Sequence, residues 1–216
     1  MLERMDRFFE NRLAGYDEHM RTNIEGAAKF YRYTAKQLPM EAECKVLDLG
    51  CGTGLELEEY FPLNPNACVT GIDLSVAMLN ALAAKFPQKH LELIAGSYFE
   101  VPFEPEAYHA AVSVESLHHF SAELIQSLYR KLYLSLKKQG YFILTDYFAE
   151  SEVLEKEYFN NLKQLKREQN ITDHAFYHYD TPLTVEHEIE ILSESGFSCV
   201  KILKNWNATY TIKAER

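Results

Sequence analysis

The feature that most limits how this 216-residue chain can fold is the run Val46-Leu47-Asp48-Leu49-Gly50-Cys51-Gly52-Thr53-Gly54. A short apolar stretch ends in an acid, and three glycines follow at alternate positions. Apolar β-formers before the glycines predict a buried strand, and Leu55 to Tyr60 after them predicts a helix start. Glycine lacks a Cβ, so the chain can turn tightly there and a ligand can lie against bare backbone. The pattern is G-x-G-x-G. It is neither the G-x-G-x-x-G of a dinucleotide site nor a P-loop, because no Gly-Lys-Ser/Thr follows.

What comes next strengthens the reading. Val69-Thr70-Gly71-Ile72-Asp73-Leu74 is a second apolar strand ending in an acid, and an acid at that strand tip suits two ribose hydroxyls. Leu91 to Ala95, Ala110 to Val114 and Tyr141 to Asp146 are three further strands, the last preceded by a turn at Lys137-Lys138-Gln139-Gly140. Helices are expected between them, with Ser75 and Ser121 as N-caps. This alternation implies a parallel sheet with helices on both faces.

The flanks read differently. Met5 to Leu13 and Ile24 to Leu38 are expected helices, the second stopped by Pro39, forming an N-terminal cap or a flap over the ligand. Ser151 to Asn170 is a charged amphipathic helix. Ile171 to Pro182 then interrupts the alternation with aromatics and histidines, as a lid would. Val185 to Ser195 is the last helix, ended by Gly196, and Phe197 to Lys204 with Trp206 to Lys213 predicts a hairpin around Asn205. One domain is expected over residues 1–216: a cap at 1–40, a core at 45–148, a lid at 149–184, and the final helix and edge strands at 185–216.

A net charge of −10 with scattered Lys and Arg argues against a nucleic-acid partner. Cysteines 44, 51, 68 and 199 have no C-x-x-C spacing, so buried reduced thiols are expected. With no charged leader and no apolar run of about eighteen residues, the expectation is a soluble cytoplasmic protein without a membrane partner.

Taken as a series, Asp48 to Gly54, Gly71-Ile72-Asp73, Gly96-Ser97 and Leu136 to Gly140 resemble the successive motifs of class I S-adenosylmethionine-dependent methyltransferases. Tyr16-Asp17, and Leu183 to Glu188 leading to Glu194-Ser195-Gly196-Phe197, resemble bacterial small-molecule methyltransferases. The same frame is similar to enzymes that make or use carboxy-S-adenosylmethionine. The resemblance implies an α/β, doubly wound, Rossmann-like sheet of seven mostly parallel strands with an antiparallel edge hairpin, the helical cap and a helical lid insertion. It implies S-adenosylmethionine as cofactor, S-adenosylhomocysteine as product and a small-molecule acceptor. A homodimer is one arrangement open to it.

Carried onto this sequence, the family's cofactor site falls on Tyr16, Asp48, Gly50, Cys51, Gly52, Asp73, Leu74, Met78, Ser97, Tyr98, Val114 and His119. Asp73 takes the ribose, Asp48 the amino group, and Leu74 and Met78 the adenine face. Ser97 departs from the commoner Gly-Asp, and His109 from a commoner acid; the second is read as structural. The candidate catalytic residues are His118 and His119, one of which could act as a base because its pKa falls near neutrality. A sulfonium methyl is already activated, so in-line placement at roughly 3 Å is expected to supply most of the effect. Tyr147, His174, Tyr177, His178 and Tyr179 are the candidate acceptor-pocket residues. His174 and His178 stand at i, i+4, but with no accompanying H-E-x-x-H or cysteine pair no metal is expected. Two other readings stay open: a carboxy-S-adenosylmethionine-related enzyme, and a non-catalytic cofactor-binding regulator.

Overall fold

A computed structural model describes residues 1–216. Three cap helices come first: α1 (Met5–Arg12), α2 (Tyr16–Asn23), reached through a 3₁₀ turn at Leu13–Gly15, and α3 (Ala27–Ala35). The alternating core is β1 (Lys45–Leu49), α4 (Leu55–Tyr60), β2 (Cys68–Asp73), α5 (Val76–Lys85), β3 (His90–Ala95), β4 (Tyr108–Val114), α6 (Ala122–Ser135) and β5 (Leu136–Tyr147). Then follow α7 (Glu152–Glu168), α8 (Val185–Glu194), β6 (Cys199–Trp206) and β7 (Thr209–Glu215).

The seven strands form one sheet in the order β3-β2-β1-β4-β5-β7-β6. The first five are parallel, β7 runs antiparallel to β5, and β6 antiparallel to β7. Order reverses between β1 and β4, and a doubly wound sheet opens its ligand crevice at that point. The side-chain period of two separates the core into two faces. Leu47 and Leu49 join Ile72, Tyr129 and Phe142 on one side; Val46 joins Val69, Val112 and Phe30 on the other. Asp48 shares Val46's parity, and so lies on the side covered by α3 and α4.

Several boundaries differ from expectation. The helix expected from Ile24 begins at Ala27, because Gly26 sits in the left-handed region (φ 80°), and Tyr16–Asn23 is a helix of its own. The edge hairpin turns at Asn207-Ala208, not Asn205: Trp206 pairs with Thr209, and Asn207 takes φ 53°. That is a two-residue hairpin loop, which favours Asn at a positive-φ position. The turn expected at Lys137–Gly140 is an irregularity inside β5, whose first residue Leu136 already pairs with Tyr108. Ser75 caps α5 by accepting from Met78 N, whereas Ser121 holds the N-cap position of α6 without a cap bond. Cys44 and Cys51 are buried free thiols; Cys68 and Cys199 are free but partly exposed. His109 is structural: its Nδ1 accepts from Lys45 N at 2.9 Å, and its Nε2 lies 2.9 Å from Lys137 Nζ.

The segment after α7 is strapped to the cap. Met5 N donates to Phe176 O (2.9 Å), His178 N to Glu3 O (2.9 Å), and Thr181 N to His118 O (2.7 Å). Cap and lid thus make one roof over the carboxyl ends of the strands. No helix is long and apolar enough to cross a membrane.

Candidate active site

The glycine turn carries β1 into α4. Gly50 has φ +74°, and a Cβ there would stand 2.1 Å from Ser116 Oγ, so no side chain fits. Gly52 (φ +48°) faces the cap, with the Tyr16 ring 3.9 Å from where its Cβ would be. Asp73 closes the cradle from the tip of β2: Oδ2 accepts from Gly52 N (2.9 Å) and Oδ1 from Ser75 N (2.8 Å). Burial raises the Asp73 pKa, and those two N–H groups oppose the rise. Leu74, Met78 and Tyr98 complete the floor, while Met5, Phe9 and Tyr16 of the cap close the top. The remaining cavity is about 40 Å³, near the size of one water, so a nucleoside enters only if the cap yields.

Beneath the cradle lie two carboxyls with unpartnered oxygens, Asp48 Oδ2 and Glu56 Oε1. They are 1% and 5% exposed. Burial raises both, Asp48 well above its usual range and Glu56 to about 7, and the charge of the neighbouring Glu56 carboxyl pushes Asp48 up further. Glu56 was not singled out from the sequence; its one signal is an acid set between Leu55 and Leu57 at the start of a buried helix. A carboxylate for a diol, bare backbone at Gly52 and two orphaned acid oxygens form a donor set that suits a ligand carrying hydroxyls and an ammonium.

Four residues expected at the cofactor do not line this cavity. Asp48 lies below it. Cys51 packs its Sγ over Gly71, Val114 is in the core, and Ser97 Oγ accepts from Phe99 N to close a turn.

A larger cavity of about 780 Å³ opens beside the first, between cap, lid and edge hairpin. Phe9, Tyr16, Glu115 and His119 border both. His118, Tyr147, His178 and Asp180 form its polar end, and Trp206 lies on the hairpin side. His174 is exposed, Tyr177 donates to Asp173 (3.1 Å), and Tyr179 contributes only a carbonyl 3.4 Å from His119 Nδ1; these three are outside the cavity wall.

The polar end is tightly paired. Asp146, at the end of β5 and 2% exposed, accepts from Leu117 N (2.8 Å) and sits 2.5 Å from His118 Nδ1. Burial would depress His118, but Asp146, Glu115 and Asp180 together raise it to about 9. His119 is lowered by burial and then by its charged neighbour His118. His178, stacked on Phe8 with ring centroids 3.4 Å apart, is depressed to about 4 by burial and His119. Burial would raise Asp180, but its hydrogen bond to His119 and the charge of His118 hold it well below the usual carboxylate range. Glu115 is pushed up to about 8 by burial and by Asp146, and its φ of 51° places a non-glycine residue in the left-handed region. Such strain costs about 1–3 kcal/mol and clusters at functional sites. Glu115, Asp180, Phe9 and Trp206 escaped the sequence reading because they come from four separate segments.

Comparison with known proteins agrees with the geometry. Residues 46–140 match a family model described as a methyltransferase domain. A demethylmenaquinone methyltransferase of Chlorobaculum tepidum is 30% identical over 173 residues, spanning 79% of this chain and 67% of that one. A carboxy-S-adenosyl-L-methionine synthase of Nautilia profundicola is 27% identical over 175 residues, 76% of this chain and 73% of that one. The structure of human N-acetylserotonin methyltransferase with S-adenosylmethionine superposes at a TM-score of 0.64 with 18% identity, covering 88% of this chain and 52% of that one. Several curated relatives are longer; the chain spans 35% and 46% of two of them. The chain belongs to the class I S-adenosylmethionine-dependent methyltransferases. S-adenosylmethionine is the cofactor of that family, and the cradle's donors fit it.

Proposed function

We propose that this protein transfers the methyl group of S-adenosylmethionine to a small molecule held in the larger cavity. The observation that carries this reading is the shared wall: Phe9, Tyr16, Glu115 and His119 border both the cradle and the 780 Å³ cavity. When bound, S-adenosylmethionine supplies a methyl group already activated on a sulfonium. The chain's part is then placement. Asp73 and the Gly52 backbone would hold the nucleoside end, and the Asp48–Glu56 pair would present negative charge to the ammonium. Tyr16 and Phe9, closing from the cap, exclude water from the junction. His119 on the shared wall, with His118, Asp146 and Asp180 behind it, orients the acceptor's nucleophilic atom. Alignment of this kind is worth about 7–11 kcal/mol of barrier.

A second reading, an enzyme related to carboxy-S-adenosylmethionine, is favoured by the extent of the Nautilia relative. It needs a cation beside the transferred group. Arg12 is the one Lys or Arg bordering the larger cavity, and it is engaged with Glu3 at 3.0 Å and stacked over Phe8. Arg21 pairs with Glu58, and neither Arg32 nor Arg130 reaches either cavity.

Calorimetric titration with S-adenosylmethionine, S-adenosylhomocysteine and the carboxylated analogue tests both. Micromolar binding of the first two without preference for the third is expected, followed by S-adenosylhomocysteine release in an acceptor screen. A strong preference for the carboxylated ligand supports the second reading. No binding at all, in a folded sample, leaves only a scaffold and overturns both.

A further inference from the structure

The polar end of the larger cavity holds more ligating groups than positioning an acceptor requires. His119 Nδ1 stands 3.1 Å from Asp180 Oδ1, and His118 Nε2 stands 3.7 Å from the same oxygen. The three donor atoms all lie within 4.8 Å of one another. Metal–ligand bonds of about 2.0–2.2 Å in a tetrahedral shell put donor atoms about 3.3–3.6 Å apart, so both measured separations are close to the edges of such a polyhedron. The imidazoles are fixed, with side chains 8% and 4% exposed, while Asp180 is 46% exposed and open to the cavity.

A second observation points the same way. His118 reaches the cluster with Nε2 because Nδ1 is committed to Asp146, which is itself buried and locked by Leu117 N. A carboxylate behind a histidine keeps one proton on Nδ1 while an incoming ion displaces the Nε2 proton and takes its lone pair, which is the usual support for a ligating histidine. The charge balance agrees. Asp146 and Asp180 form ion pairs only with histidines, and Glu115 accepts from a threonine hydroxyl; no Lys or Arg neutralises any of the three. Asp146 and Asp180 are thus balanced by imidazoles alone, and a cation that displaces the imidazole protons keeps that balance.

We propose that His118 Nε2, His119 Nδ1 and Asp180 form a binding site for one divalent first-row transition ion, zinc being the simplest fit. Asp146 acts as the positioning residue behind His118. Two imidazoles and one carboxylate leave coordination positions open toward the cavity. An oxygen of a cavity-bound molecule could occupy one, and the ion would then acidify a hydroxyl without a side-chain base. This last consequence rests on the methyltransferase reading; the ion site itself does not.

The test uses the full chain, stripped with a chelator, then titrated with Co²⁺ by calorimetry and followed by visible absorption, with elemental analysis of the protein as purified. One Co²⁺ per chain with ligand-field bands is expected, and Zn²⁺ should displace it. His118→Gln and Asp180→Asn should each weaken binding at least about hundredfold, and Asp146→Asn about ten- to hundredfold. Should a variant fail to fold, paramagnetic shifts of the His118 and His119 ring protons in the unaltered Co²⁺ protein decide the same question. Absence of stoichiometric binding overturns the proposal. So does binding that survives both ligand variants, or leaves those ring signals unshifted, since the ion would then sit on exposed histidines such as His174. Titrating S-adenosylhomocysteine into the same samples keeps the outcomes apart: nucleoside binding without Co²⁺ removes only the ion site, and Co²⁺ without nucleoside binding removes only the methyltransferase reading.

Discussion

The cradle and the larger cavity share a wall yet are built by different means. At the cradle, the groups that face a ligand are backbone at Gly50 and Gly52 and one carboxylate, all at the ends of two adjacent parallel strands. At the larger cavity they are side chains, drawn from α1, the turn after β4, the lid and the edge hairpin. Backbone donors are placed by the sheet itself and need little support. Imidazoles and carboxylates need partners, which is why Asp146 is buried behind His118 and why Phe8 stacks on His178.

Substitutions can separate the two regions. The largest effect is expected for Gly50→Val, because a Cβ would collide with Ser116 Oγ at 2.1 Å in a left-handed backbone. Cofactor binding should be lost and Tm, read by scanning calorimetry, should fall by about 5–15 °C. Retained binding at an unchanged Tm would mean that the turn is not the rigid element described above. Next comes Asp73→Ala, expected to weaken S-adenosylhomocysteine about ten- to a hundredfold in calorimetry while the fold persists. An unchanged Kd there would displace the ribose from Asp73.

Trp206→Ala addresses the other region. Its ring packs edge-on to Tyr33 at 5.4 Å and, of the two cavities, borders the larger and not the cradle. The acceptor KM should rise about tenfold, with cofactor affinity unmoved. A loss of cofactor affinity matching that of Asp73→Ala would show that the two cavities are not separable.

The smallest effect concerns a buried acid that lines neither cavity. Glu188, 3% exposed and bonded by the Tyr129 hydroxyl, is pushed up to about 8 mainly by burial. Its folded pKa is raised, so its contribution to stability is whole below about 4.5 and is lost as pH rises through about 8. Glu188→Gln removes that titration. The variant's Tm relative to the parent should therefore climb with pH, ending about 2–4 °C higher at alkaline pH. A pH-independent difference would mean that Glu188 is ionised throughout.

Much of the cradle was readable in advance, because its determinants are local. Strand, glycine turn and helix occupy one continuous segment, and Asp73 ends the next strand. Glu56 was not readable, since its burial depends on α4 packing under the cap. The lid was legible as an interruption of pattern. Which of its residues turn inward was not: His178 enters the cavity while His174 and Tyr177 stay outside, because the Glu3–His178 and Met5–Phe176 bonds set the path of that segment. The hairpin turns two residues beyond Asn205, since the left-handed residue is Asn207.

By itself, then, the order of residues determined the alternating α/β plan, the switch point and the glycine cradle, all of which follow from periodicity and from glycine's missing Cβ. Tertiary structure alone decided which histidines meet which carboxylates. His118 and His119 reach Asp146 and Asp180 only after β5 has been laid beside β4 and the lid has been tied to the cap. Contacts between segments that far apart carry no period for a sequence to display.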